Sequence, residues 1–321
     1  MGECIYVRLG MFFHDLRLVM AGRSIGSECS LTARVAISVF LFICGTGSLL
    51  AAESPDVSET PKLSAENRSF VLGNVAYALL HEFGHAVIRD FDVPLLGLEE
   101  NSADTLAAVS LILLDREHPD AGFGAALGVT ALAQSLVWEM GLERSQADLI
   151  LWNQHDLSAQ RFARLVCLVY GSNPDRYGWV AEAAKMEATR AEGCEDEWGI
   201  AERAVVWVRD TYGIPPDKRA SQPSAVIDVT YAKPRDTMET ALMEVLRQSE
   251  LLERLARFEQ RQFAFAEPVT IKLSHCRVPN AYWDNEYREV VLCFELMNAF
   301  MKLADQPQVA AAIKRFQAHQ R

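Results

Sequence analysis

A mainly helical α+β fold is predicted by three features of the sequence. Long stretches at 64–90, 99–115, 195–212 and 236–265 carry the spacing and composition of helices, two short segments at 225–233 and 269–275 read as strands, and residues 276–295 read as a hairpin. At 321 residues with 50% hydrophobic side chains, the chain supplies a core for one large domain or two small ones. The main domain is placed at 65–305, preceded by a leader or anchor at 1–52 and a linker at 53–64, and followed by a C-terminal helix or tail at 306–321.

Residues 1–52 come first. Arg34, an apolar run over 35–44, small residues through Ala51-Ala52 and polar Glu53-Ser54-Pro55-Asp56 follow the order of a secretory signal, with cleavage placed near Ala52. The region before the apolar run is long for a signal, which makes Met11 or Met20 an alternative start. The competing reading is an uncleaved membrane anchor over 35–52, a stretch near the lower length limit for a span and diluted by glycine and serine. The expected localisation is export, periplasmic or secreted, with membrane contact only if this segment stays attached. Cysteine usage agrees with export. Cys4, Cys29 and Cys44 fall in the leader, and the even set that remains is Cys167, Cys194, Cys276 and Cys293. Sequence proximity favours the pairs Cys167–Cys194 and Cys276–Cys293; four buried free thiols in a cytosolic protein are the alternative.

Ser64 is the expected N-cap of the first helix, whose stripe of Leu72, Ala76, Leu79, Phe83 and Ala86 faces a core. The helix is expected to stop near Asp90, because Pro94 and Gly97 follow. Within it stands the run His81-Glu82-Phe83-Gly84-His85. His81 and His85, at i and i+4, share a face beside the apolar stripe, so both can bind a single zinc ion while Glu82 activates a water next to it. Gly84 permits close approach of a second helix.

That second helix begins at Glu99-Glu100-Asn101-Ser102-Ala103-Asp104 and runs through alanines and leucines to about Asp115. Zinc hydrolases need three protein ligands and one open position, and Glu100 is placed to supply the third. Asp104, four residues on, shares its face, where the carboxylate can accept a hydrogen bond from the non-ligating nitrogen of a histidine and fix the tautomer. Glu99 is the rival third ligand; its i+4 partner is Ala103, which favours Glu100. A charged first turn stabilised by the helix dipole is the plain alternative for this acidic cluster.

Residues 121–140 read as a close-packed, Gly/Ala-rich buried helix. The stretch from Leu149-Ile150-Leu151-Trp152 to Phe162 leads into a further helix, with Asp156 as N-cap. His155, just before it, is a candidate donor to an oxyanion or, more plainly, a capping histidine. One long amphipathic helix is expected over 236–265, and the hairpin has its turn at 284–286 and a cysteine at each far end. The net charge of −12 argues against nucleic acid and anionic lipid as partners, and the sequence holds no phosphate-binding glycine loop and no internal repeat.

H-E-x-x-H followed by E-x-x-x-D resembles the Glu-ligand zinc peptidases, the thermolysin-like group. The resemblance implies a zincin-like core with an active-site helix pair, one Zn²⁺ per chain on His81, His85 and Glu100, Glu82 as base, Asp104 behind a ligand histidine, and a peptide or protein substrate. Asn280-Ala281-Tyr282 resembles the stretch lining the substrate cleft in neprilysin-like zinc peptidases, which implies that Asn280 and Ala281 hold a peptide backbone. In that family the stretch precedes the zinc helix; here it follows. His155, Tyr282 and Tyr287 are the candidates for stabilising an oxyanion. Taken together, H-E-F-G-H, P-L-L-G-L-E-E-N-S-A-D, W-N-Q-H-D-L-S-A-Q-R-F, C-L-V-Y-G and N-A-Y-W-D with L-C-F-E-L look like an uncharacterised bacterial family of exported metallopeptidase-like proteins, over most of residues 65–300. The Tyr-Asp-Pro turn of that family is replaced here by Trp283-Asp284-Asn285. Zinc-dependent peptide-bond hydrolysis is the expected reaction. A zinc-bearing envelope binding module without proteolysis stays open, although intact Glu82 counts against it. A metal-free, membrane-tethered scaffold is disfavoured by the ordered set His81, Glu82, His85, Glu100 and Asp104.

Overall fold

The structure is a computed structural model that describes residues 61–117, 158–215, 217–218, 225–307 and 310–311. The leader, the helix expected over 121–140, His155 and Asp156 lie outside the described residues. The described part is mainly helical with a small four-stranded mixed sheet, in agreement with the α+β expectation.

The first helix, α1, spans Ala65–Asp90, and Ser64 caps it by accepting from the Asn67 N–H at 3.0 Å. Its core face carries Phe70, Leu79 and Phe83, all essentially fully buried. Helix α2, Glu99–Glu117, lies against it and buries Leu111 and Ile112 in the same core. Gly84 sets their separation: a Cβ there would stand 3.0 Å from the Ala103 Cα, tighter than real side chains tolerate without movement.

Helices α3 (Ser158–Ser172), α4 (Pro174–Ala183), α5 (Ala188–Ala191) and α6 (Cys194–Tyr212) follow. Cys167 in α3 is joined to Cys194 at the start of α6, with Cα atoms 5.0 Å apart. Gly171 makes that approach possible, since a Cβ would lie 2.0 Å from the Cys194 carbonyl oxygen.

Strand β1 (Ile227–Tyr231) leads through α7 (Thr237–Ser249) and α8 (Leu251–Gln262) into β2 (Val269–Ser274), which pairs parallel to β1. The single helix expected over 236–265 is therefore two. Glu250 adopts φ 51°, in the left-handed region, and Ser249 accepts the Leu251 N–H. One helix of about thirty residues would run about 45 Å, more than twice the length of the five-residue β1, so the crossover must fold back to return the chain beside it.

Strands β3 (Ala281–Asp284) and β4 (Glu289–Cys293) form the expected antiparallel hairpin, with Tyr282 opposite Val291 and Trp283 opposite Val290. β4 also pairs parallel to β2, giving the order β1-β2-β4-β3 and leaving β3 at an edge. A second disulfide, Cys276–Cys293, closes the base of the hairpin. Helix α9 (Phe294–Ala304) then returns against α1. Among the described residues no helix is long and apolar enough to cross a membrane.

Replacing Gly84 with valine puts a branched side chain where the Ala103 backbone already stands. The expected cost is about 1–3 kcal/mol of unfolding free energy, read from denaturant titration. Unchanged stability would mean that the two helices separate freely.

Candidate metal centre

The centre grows out of the α1–α2 contact. His81 and His85 are one helical turn apart, and their rings meet edge to face with centroids 4.9 Å apart. The two Nε2 atoms are 3.2 Å from each other, and Glu100 Oε2 lies 3.2 Å from that of His81 and 3.4 Å from that of His85. His81, His85 and Glu100 thus form a compact donor set from two helices.

Each ring is held from its other nitrogen. His81 Nδ1 lies 2.8 Å from Asp104 Oδ1, and His85 Nδ1 lies 2.8 Å from Glu99 Oε1. A carboxylate at Nδ1 calls for a proton on that nitrogen, which leaves the Nε2 lone pair facing inward in both rings. The two acidic residues at the start of α2 therefore divide their work: Glu100 meets the Nε2 pair, while Glu99 braces His85 from behind.

Three lone-pair-bearing atoms crowded together need positive charge between them. Donors about 2.0–2.1 Å from a tetrahedral zinc ion stand about 3.3 Å apart, and the observed triangle has that size with the nitrogen and oxygen chemistry to match. Without an ion, protons fill the role. Burial opposes a charge on His85, but hydrogen bonds to Glu100 and Glu99 outweigh it and push its pKa up to about 10. The His81 pKa is also raised, with burial overcome by Asp104 and Glu100.

Glu82 is 3% exposed and reaches the sheet through one carboxylate oxygen. The backbone N–H of Trp283 on β3 donates to its Oε2 at 2.9 Å, while Oε1 is buried without a hydrogen-bond partner. Its charge is close enough to both histidines to raise their pKa values. Asn280 Oδ1 and Trp283 Nε1, at the same edge strand, are likewise buried without partners. Ala281 is buried at the start of β3, and Tyr282 stands between it and Trp283. Tyr287, 69% exposed in the hairpin turn, is outside this buried group.

The residues behind the carboxylates are not among those that the motif singles out. Arg161 of α3 donates to both oxygens of Asp104, from Nε at 2.8 Å and Nη2 at 2.6 Å, and the Tyr77 hydroxyl donates to Asp104 Oδ1 at 2.9 Å. Burial opposes the Asp104 charge, but Arg161 and His81 hold its carboxyl well below the usual carboxylate range. Arg89 grips Glu99 in the same two-pronged way, from Nε at 3.0 Å and Nη2 at 2.9 Å. Tyr77 and Arg89 lie four residues before His81 and four after His85, a helical spacing that carries the signal; nothing local marks Arg161. The second cysteine-containing acidic group, Cys276, Cys293 and Glu295, offers no thiolates, because its sulfurs form a disulfide and Glu295 accepts the N–H groups of Cys276 and Arg277.

A family model described as "putative metallopeptidase" matches residues 48–208 and 231–320, which is most of the chain. The chain belongs to that family. The matched segments contain the histidine pair, Glu100, Asp104, Arg161 and the β3–β4 hairpin. No curated protein and no solved structure matches the chain.

A metal ion taken up by this donor set would compete with protons for the same nitrogens. The raised His85 pKa means that below about pH 10 a cation must displace a proton. Zinc affinity is therefore expected to rise with pH between 6 and 8, by about tenfold per unit for each proton displaced. Chelator competition at three pH values checks this; a flat profile would show that the site binds metal without losing protons.

Proposed function

We propose that this protein hydrolyses peptide bonds with one Zn²⁺ held by His81, His85 and Glu100, with Glu82 carrying the proton. The observation that carries this reading is the buried triangle of Nε2, Nε2 and Oε2, 3.2–3.4 Å on a side, with Glu82, whose charge acts on both histidines, keeping one oxygen unpartnered. The family supports metal-dependent proteolysis, and the donor set supports zinc.

When bound, zinc supplies Lewis acidity, acidifying water and polarising a carbonyl. The chain supplies the rest. Trp283 N–H fixes one oxygen of Glu82, leaving the other to accept a proton from the attacking water and return it to the departing amine. Asp104 and Glu99 hold the two rings so that their Nε2 atoms converge. β3 is an edge strand whose Trp283 N–H points away from β4 and is taken by Glu82, and in this reading Asn280 and Ala281, next to it, hold the peptide backbone. In this reading Tyr282 is the described side chain nearest in sequence to that edge for oxyanion support, and the likeness to zincins rests on this helix pair and edge strand. Two disulfides support a site of action outside the reducing cytoplasm, periplasmic or secreted.

Elemental analysis of the purified chain is expected to give about one zinc, lost in His81→Ala. Glu82→Gln keeps the shape and removes the base, so it should retain zinc and lose at least about a hundredfold in turnover of a peptide library. Retained turnover would remove Glu82 from the mechanism. Bound zinc with no hydrolysis by the unaltered chain would favour a binding module instead.

A further inference from the structure

Asp104 is the most heavily partnered group of the centre. Its Oδ1 meets three donors, His81 Nδ1, the Tyr77 hydroxyl and Arg161 Nη2, while Oδ2 takes Arg161 Nε. Every member of this cluster is buried: Tyr77 is 6% exposed, Asp104 6% and Arg161 7%. A guanidinium placed that deep is costly, and truncating one partner of such a pair leaves the other charge stranded. A buried acid needing only a counter-charge would be served by any cation. The two-pronged contact does something further, fixing the plane of the carboxylate rather than its charge alone.

That plane is what His81 senses. Oδ1 lies 2.8 Å from Nδ1, so rotation of the carboxylate moves the acceptor that aims the imidazole. The aim decides whether Nε2 meets Glu100 Oε2 and His85 Nε2. The equivalent clamp on the other histidine is built differently: Arg89 is 56% exposed and Glu99 27%, so water competes for that pair. Of the two supports, the one behind His81 is the rigid one.

We infer that Arg161, together with Tyr77, is a positioning residue for the metal, locking Asp104 and through it the His81 ring. The inference rests on the zinc reading above. It adds a third layer from α1 and α3, neither residue touching metal or substrate.

The test is zinc affinity by chelator competition on the full chain, with thermal unfolding alongside. Arg161→Lys keeps the charge and loses the fork; Tyr77→Phe removes a single hydroxyl and keeps the shape. Arg288→Lys is the matched control. Arg288 forms a comparable two-pronged pair with Asp90, which ties the hairpin to the end of α1 and touches no metal-binding side chain. Arg161→Lys is expected to weaken zinc binding about tenfold and Tyr77→Phe about threefold, while Arg288→Lys lowers the unfolding temperature and keeps zinc affinity within about twofold. Zinc binding by Arg161→Lys within twofold of the unaltered chain overturns the inference, and so does an equal loss in Arg288→Lys, which would trace the effect to general loosening. If Arg161→Lys does not fold, Tyr77→Phe decides: unaltered affinity overturns. An unaltered chain that binds no zinc is a different result, since it removes the zinc reading itself.

Discussion

Three acceptor atoms held 3.2–3.4 Å apart in a protein interior cannot stand without positive charge among them. That constraint organises the rest. The surrounding carboxylates are Glu82, Glu99, Glu100 and Asp104, and the cations that meet them are Arg89 and Arg161. With both histidines neutral the group carries two negative charges in excess, and a single divalent ion cancels them. Protons on the rings cancel them too, which is why the His85 pKa is raised so far above the ordinary range.

The backbone is fixed by packing rather than by the charges. Gly84 lets α1 approach Ala103 of α2, and this close contact sets the reach of Glu100 and Asp104 toward the histidines. On the opposite side the sheet is brought to Glu82 by residues about two hundred positions later. The Trp283 N–H contact, the Arg288 pair with Asp90 and the disulfide at the base of the hairpin all act on one short edge strand. Burying Glu82 with a single hydrogen bond costs stability that this latching must offset. Unsatisfied polar atoms at Glu82, Asn280 and Trp283 gather at that edge, where a fold shaped for stability alone would have paired or removed them.

The legible parts were those whose physics is local. The N-cap at Ser64, the end of α1, the i and i+4 histidines and the hairpin turn all follow from spacings within a few residues, while the two disulfides, whose partners are 27 and 17 positions apart, join the cysteines nearest each other in sequence. Glu99 and Glu100 could not be fully separated from sequence, because adjacent residues at a helix start differ by about 100° of rotation and their assignment depends on how α2 is turned against α1. The break at Glu250 was hidden for another reason: apolar spacing records burial, not the length the crossover has available. Arg161 was invisible because a buried arginine leaves no local pattern, and its partner is 57 residues away.

The two flanks of the centre differ in a way that bears on access. Behind His81 the side chains of Asp104 and Arg161 are each 8% exposed, whereas behind His85 those of Glu99 and Arg89 are 27% and 56% exposed. His85 itself is 12% exposed against 3% for His81. One histidine is therefore set in a rigid, dry frame and the other is backed by a solvated ion pair that yields to salt and thermal motion. A hydrolytic metal site needs both properties, since its geometry must be fixed while water still reaches an open position. The asymmetry places the fixed reference at His81 and the approach of solvent on the His85 flank.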